Sequence, residues 1–194
     1  MNAELDNLLS ELEEISENAR KTFGRLNGEQ INWKPSAESW SVGQCFEHLI
    51  KTNELYFGEL DKIIAGTRKN SLWEKWSPLT AFAGKLLVNS LKSDGRKIKT
   101  IEKVTPPSEI DPNIIEIFAA HQSEFMGKIK QVENADWRKI VVTSPFMKLM
   151  TYNLADGFQG VVEHEKRHYR QAERVMKAEG FPQPGQDQQT AVNG

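Results

Sequence analysis

Leu5, Leu8, Leu12, Ile15, Ala19, Thr22 and Leu26 step along the N-terminal stretch by threes and fours, with charged residues between them. That spacing is one face of a long amphipathic helix, and Asn27-Gly28 is a stop signal for it. The following stretch, INWKPSAESW, breaks the period at Pro35 and reads as a loop. Ser41-Val42-Gly43-Gln44 then has the form of a capping box, in which Ser41 accepts from an early amide and Gln44 reaches back. A second helix is therefore predicted from Val42 to Ala65, ended by Gly66. Its inward stripe takes Cys45, His48 or Leu49, Thr52, Leu55 or Tyr56, and Leu60 or Ile63.

Residues 67–109 hold no sustained period. They read as a long crossover with one short helix after Pro78, followed by an extended polar connection over SDGRKIKTIEKVTPPS. Asp111-Pro112 has the form of an N-cap followed by proline at the first helical position. Ile114, Phe118, His121, Phe125, Ile129 and Val132 continue that third helix on one face. Asn134 to Met150 is a second loop with a brief strand at KIVVT. The last helix is predicted from Asn153 to Glu179, closed by Gly180 and Pro182, and residues 182–194 read as a flexible tail. Four long amphipathic helices with a long connection between the second and third describe an all-α four-helix bundle. Residues 1–181 are expected to form one domain.

Composition narrows the classes. The 194 residues are 38% hydrophobic and 27% charged with a net charge of -2, a size and balance that suit a single core. No basic excess points to nucleic acid, and no apolar run approaches the roughly 20 residues of a membrane helix. The acidic, amphipathic start MNAELDNLLSELEE is unlike a signal peptide, so a cytoplasmic protein is expected. The lone Cys45 excludes an intrachain disulfide and a cysteine-based zinc cage, and reads as a small core residue.

Candidate chemistry gathers on the last helix. Its stripe runs Leu154, Gly157, Val161, His164, His168, Gln171, Val175, Ala178, apolar or small toward both ends and polar in the middle. Residues four apart lie about 40° round a helix and about 6 Å along it, so the two imidazoles can aim nitrogens at one point. The bland alternatives are a hydrogen-bonded core histidine pair or a solvated polar face, since Glu163, Lys166, Arg167 and Arg170 surround them. His48, on or beside the stripe of the second helix, can face the same cavity and makes three. Three neutral imidazoles suit zinc, nickel, copper or ferrous iron, and three protein ligands leave a coordination position open. His121 also sits on an apolar stripe; a polar neighbour of the ligands or a core imidazole bonded to a backbone carbonyl is favoured over a fourth ligand.

His164-Glu165-Lys166-Arg167-His168 also matches the H-E-x-x-H pattern of zinc peptidases. The context speaks against that reading. Glu165 falls off the stripe of the two histidines, a downstream third ligand is missing, and no sheet precedes the motif to hold a peptide. Glu47 and Glu163, which flank ligand candidates, are expected on solvated faces, and Trp33 and Trp40 to pack the loop onto the bundle.

Two segments together carry a resemblance. Asn32-Trp33-Lys34-Pro35, Glu38-Ser39-Trp40-Ser41-Val42-Gly43-Gln44 and Glu47-His48-Leu49 resemble the N-terminal signature of the DinB-like superfamily, approximately W-x-P…W-S-[IV]-x-[EQ]-x-x-x-H-[LI]. Glu163 to Gln171 resembles its second signature, H-x-x-x-H-x-x-Q. The resemblance implies a divalent metal ion (zinc, nickel, iron or manganese) at one end of the bundle core, held by His48, His164 and His168, with Gln171 as a polar residue beside it. It also implies an enzyme adding a low-molecular-weight thiol, such as bacillithiol or mycothiol, to an electrophilic small molecule in detoxification or stress response. The alternatives are a metal-dependent hydrolase and a non-catalytic metal- or ligand-binding bundle. The three-imidazole set is compatible with the first two, since a bound divalent ion lowers the pKa of a thiol or of water. The expected partners are a small-molecule substrate and a second copy of the chain in a homodimer, with neither nucleic acid nor membrane.

Overall fold

The computed structural model describes residues 3–78, 80–92, 100–147 and 149–183. Four long helices form the bundle: α1 (Ala3–Phe23), α3 (Val42–Ile64), α6 (Ile114–Gln131) and α7 (Leu154–Met176). α6 and α7 each pack against both α1 and α3, so α1 and α3 lie across a diagonal. The core between them contains Leu12, Phe23, Phe46, Leu49, Phe118, Phe125 and Phe158, all essentially without exposure. The three- and four-residue spacing is the direct cause, since it puts these side chains on the inner face of each helix.

The capping signals set the helix ends. Ser41 accepts from Gln44 N (3.1 Å) while the Gln44 side chain accepts from Ser41 N (3.2 Å). Asn153 accepts from Asp156 N (2.8 Å) at the start of α7. Gly66, with φ +64°, and Gly180, with φ +81°, take the left-handed conformation that follows α3 and α7. In the first turn of α3, a Cβ on Gly43 would lie 2.8 Å from Ile31 and 2.9 Å from Ile110, so glycine lets both residues press against the helix.

The predicted boundaries shift in several places. α1 ends at Phe23, short of Leu26, and α7 at Met176, short of Glu179. The stretch after α1 is not all loop: α2 (Gly28–Asn32) is a five-residue helix with its own capping box between Asn27 and Gln30. α6 begins at Ile114 rather than at Pro112, because Asp111 Oδ1 accepts from Asn113 N (2.8 Å) and holds a turn ahead of the helix. The loop before α7 contains β1 (Val141–Thr143), as expected, and also β2 (Thr151–Asn153), its antiparallel partner.

The crossover holds two helices among its described residues. α5 (Thr80–Lys92) is the helix expected after Pro78, and α4 (Leu72–Trp76) precedes it. α5 packs along the outside of α7 and against β2. Much of the polar connection, residues 93–99, lies outside the described residues, as does the tail from residue 184. The return segment carries one 3-10 turn, Glu102–Val104, and runs beside α3. No helix among the described residues is long and apolar enough to cross a membrane.

Candidate metal centre

Three imidazoles from two helices meet on one wall of the bundle. One ring nitrogen from each of His48, His164 and His168 lies within 4.8 Å of the other two. α3 supplies His48 two turns after its cap, and α7 supplies the pair one turn apart, as their four-residue spacing requires. His48 Nε2 and His164 Nε2 are 3.3 Å apart. Two nitrogens each about 2.0–2.1 Å from a common tetrahedral ion would keep nearly that separation, roughly 3.3 Å.

His48 has a defined tautomer. Its Nδ1 lies 2.8 Å from the Val104 carbonyl oxygen, so Nδ1–H donates and Nε2 presents its lone pair to the cluster. The return segment that provides this carbonyl is held on α3 by two further contacts. Gln44 Nε2 donates to Pro107 O (2.8 Å) and Lys51 Nζ to Thr105 O (3.2 Å), one about a turn before His48 and the other a turn after. Trp40, just before the α3 cap, stacks on His168 with ring centroids 5.6 Å apart and planes 24° from parallel. It also lies 4.8 Å from the His48 ring. Trp40 therefore lines the site, whereas Trp33 packs the loop against Phe181, as expected of it.

Burial lowers the pKa of all three rings. His48 is lowered by desolvation, partly opposed by its bond to Val104. His164 falls well below the ordinary value through burial, then through His168, His48 and Arg167. His168 falls to about 3, through burial first and then His48 and Arg167, with the Gln171 side chain opposing the shift. The neutral imidazole that results is the form that ligates metals. His48 Nε2 and His164 Nε2 lie within hydrogen-bond distance of each other, whereas His164 Nδ1 and His168 Nδ1 are shut off from solvent and have no protein partner. The donor set and the spacing fit a late divalent cation.

The other singled-out residues separate cleanly. Glu165 is fully buried on a neighbouring face of α7, turned into the core between α3 and α6, where its Oε1 accepts from Asn53 Nδ2 (2.7 Å) and its Oε2 from Gln122 Nε2 (2.6 Å). With both oxygens occupied there, Glu165 cannot take the peptidase role. Glu47 pairs with Lys51 (3.7 Å) on the outer face, and Glu163 accepts from Gln159 (3.5 Å). Cys45 is buried in the core, and burial pushes its thiol up to about 12. His121 departs from both favoured expectations. It stacks on Phe57 at 5.2 Å and 8°, and neither ring nitrogen has a partner, on a backbone carbonyl or elsewhere.

The cluster opens onto a cavity of about 990 Å³ between α3, α5, α7 and the return segment. Arg167 lines it between the two α7 histidines, Gln171 and Arg174 line it beyond His168, and Thr52 and Tyr56 continue the α3 wall from His48. Glu38 is the single carboxylate among its described lining residues. Val104, Trp40 and the α5 wall were not singled out as site residues by the sequence. Val104 acts through its backbone, which no side-chain pattern marks.

A bundle with a buried three-histidine cluster at a cavity defines a class of helical proteins suited to binding a divalent metal. The chain belongs to the DinB superfamily, whose description it matches over residues 11–172. It shares its fold with YfiT from Bacillus subtilis, described as a probable metal-dependent hydrolase with an unusual four-helix bundle topology. The two are 12% identical with a TM-score of 0.60, and the match covers 94% of this chain and 91% of that one. No curated protein matches the chain.

Proposed function

We propose that this protein is a metal-dependent enzyme in which His48, His164 and His168 hold one divalent ion, and that it transfers a low-molecular-weight thiol to an electrophilic small molecule bound in the adjoining cavity. The observation that carries the reading is the convergence of three imidazole nitrogens within 4.8 Å on the wall of that cavity, with no carboxylate joining them among the described residues. A divalent ion at three neutral ligands keeps its full charge and lowers the pKa of a thiol or water brought to it.

The chain's own residues prepare the site. The Val104 carbonyl fixes the His48 tautomer and ring orientation, as partners of ligating histidines commonly do. Trp40 covers His48 and His168 and limits access of water to that side of the cluster. Gln171 sits beside His168 in the cavity wall, placed to orient a polar group of a bound reactant.

Thiol transfer is favoured over hydrolysis by the distribution of carboxylates. A thiolate is itself the nucleophile, and in attack on an alkyl halide the S–C bond forms as the halide departs with the C–X electron pair. That step needs no further general base, whereas water attack ordinarily draws on one. Here both oxygens of Glu165 are taken by Asn53 and Gln122 in the core, and Glu38 is exposed on the loop before α3. The description of YfiT supports the second reading, a hydrolase using the same ligands.

The test pairs bacillithiol, mycothiol and cysteine in turn with monochlorobimane and follows thioether fluorescence. The metal-loaded protein is expected to accelerate at least one pairing, and His168→Ala to lose at least about a hundredfold of that rate, since the ion's contribution is several kcal/mol. Cleavage of p-nitrophenyl acetate that needs the ion, with no thiol pairing accelerated, would instead establish the hydrolase.

A further inference from the structure

One face of the molecule is apolar and open to solvent. The six most exposed large apolar residues among those described are Leu72 and Trp76 of α4, Phe82 and Leu86 of α5, and Met147 and Leu149 of the connection between β1 and β2. Trp76 is 81% exposed. Leu72 and Trp76 stand four residues apart, as do Phe82 and Leu86, so each pair shares one side of its helix. The three elements are tied together at their ends. Trp73 Nε1 donates to Leu149 O (3.3 Å), the Thr80 and Thr151 hydroxyls lie 2.8 Å apart, and Thr151 Oγ1 donates to Ser77 Oγ (2.7 Å). Leu86 and Met147 also line the cavity, so this face reaches the cavity rim.

The charge of this face runs against that of the chain. Lys69, Lys75, Lys85 and Lys92 are exposed along the segment that carries α4 and α5. The single acidic residue between Lys69 and Lys92 is Glu74, which is held by Arg68 and Thr143. The chain as a whole has a net charge of -2. Single exposed leucines need no explanation, but tryptophan, leucine and phenylalanine gathered among lysines have the composition of surfaces that enter the boundary of a bilayer. A second copy of the chain is the poorer fit, because a two-fold interface sets one patch against itself and would bring lysines against lysines. We propose that the face formed by α4, α5 and the β1–β2 connection docks on an anionic phospholipid bilayer. Leu72, Trp76 and Phe82 enter the headgroup boundary, and the lysines meet the lipid phosphates. The expectation of no membrane partner rests on the lack of a spanning helix, which such docking does not need. The cavity rim at Leu86 and Met147 then lies at the lipid surface, where an apolar electrophile concentrates; that consequence alone rests on the function proposed above.

Co-sedimentation of the full chain with vesicles tests this, using phosphatidylcholine alone and an equal mixture of phosphatidylcholine and phosphatidylglycerol. The protein is expected to pellet with the mixed vesicles at low salt, to bind phosphatidylcholine far more weakly, and to be released as salt rises. Lys75→Gln and Lys85→Gln should each weaken binding about fivefold. Leu72→Ser combined with Trp76→Ser should weaken it at least about tenfold. Tryptophan fluorescence should shift to the blue when wild type binds, and that shift should shrink in Trp76→Ser. All four positions are exposed, so circular dichroism should match wild type in every variant. Wild-type protein left in the supernatant, equal binding to both vesicles, or undiminished binding by the double variant would overturn the proposal. So would a wild-type dimer that the double variant converts to monomer in sedimentation equilibrium, since a second copy would then cover this face. Metal content read on the same samples separates the two claims. Vesicle binding by protein that takes up no ion sinks the metal-dependent enzyme alone, and metal-loaded protein that ignores the vesicles sinks the docking surface alone.

Discussion

His164 and Glu165 are neighbours in the chain and serve different parts of the molecule. The helical turn of about 100° per residue carries one to the cavity wall and the other into the core between α3 and α6. There the Glu165 carboxyl is pushed up to about 7 by burial, against the bonds from Asn53 and Gln122. Asn53 Oδ1 and Gln122 Oε1 have no partners, so an amide at position 165 has an acceptor to turn toward. Glu165→Gln should therefore cost only about 1 kcal/mol in denaturant unfolding. Glu165→Ala, which strands both carboxamides and leaves a void, should cost about 3 kcal/mol or more. Both variants should retain the ion in the folded protein; loss of metal in Glu165→Gln would bring the H-E-x-x-H reading back. At this scale the histidine stripe was legible because 3.6-residue periodicity alone brings His164 and His168 together. The Val104 carbonyl and the Trp40 stack were not, since each depends on a distant segment docking beside the ligands. His121 shows the opposite limit: its stripe is apolar as read, yet its ring meets Phe57 rather than a polar partner.

Between the long helices, a single side chain organises the start of the crossover. Arg68, with its side chain 8% exposed, reaches Glu59 of α3 (3.3 Å) and Glu74 of α4 (3.4 Å), and also donates to Asn70 and to the Val141 carbonyl of β1. Glu74 in turn accepts from Thr143 N (3.0 Å) and from Ser71 N (2.8 Å). Removing the guanidinium leaves Glu74, its side chain 10% exposed, without this counter-charge, while Glu59 keeps Lys62 (2.6 Å), so Arg68→Ala should lose about 3 kcal/mol of stability. Limited proteolysis should then cut first near α4; an unchanged unfolding midpoint and cleavage pattern would show that Arg68 does not hold this region. The four long helices were readable because each repeats its apolar spacing over several turns. α2 and α4 span five residues each, too few to display a period. Their sole sequence signals were the capping boxes at Asn27–Gln30 and Ser71–Glu74.

The whole molecule joins these parts into a bundle with one functional wall. The diagonal arrangement of α1 and α3 leaves α3 and α7 side by side, which is what allows His48 to meet a pair more than a hundred residues later in the chain. α5 covers α7 from outside and turns a groove beside the histidines into a cavity. The bundle and the order of its helices followed from the sequence pattern. The placement of α5 did not, because its own apolar residues do not specify which helix they cover. The central claim is that three histidines from two helices hold one ion. It is tested most directly by metal analysis of untagged protein by mass spectrometry, wild type beside His48→Ala and His168→Ala. The account predicts one divalent ion per chain in wild type and its loss in both variants, each still folded by circular dichroism. Wild-type protein that takes up neither zinc, nickel, iron nor manganese, or an ion that survives both substitutions, would contradict it.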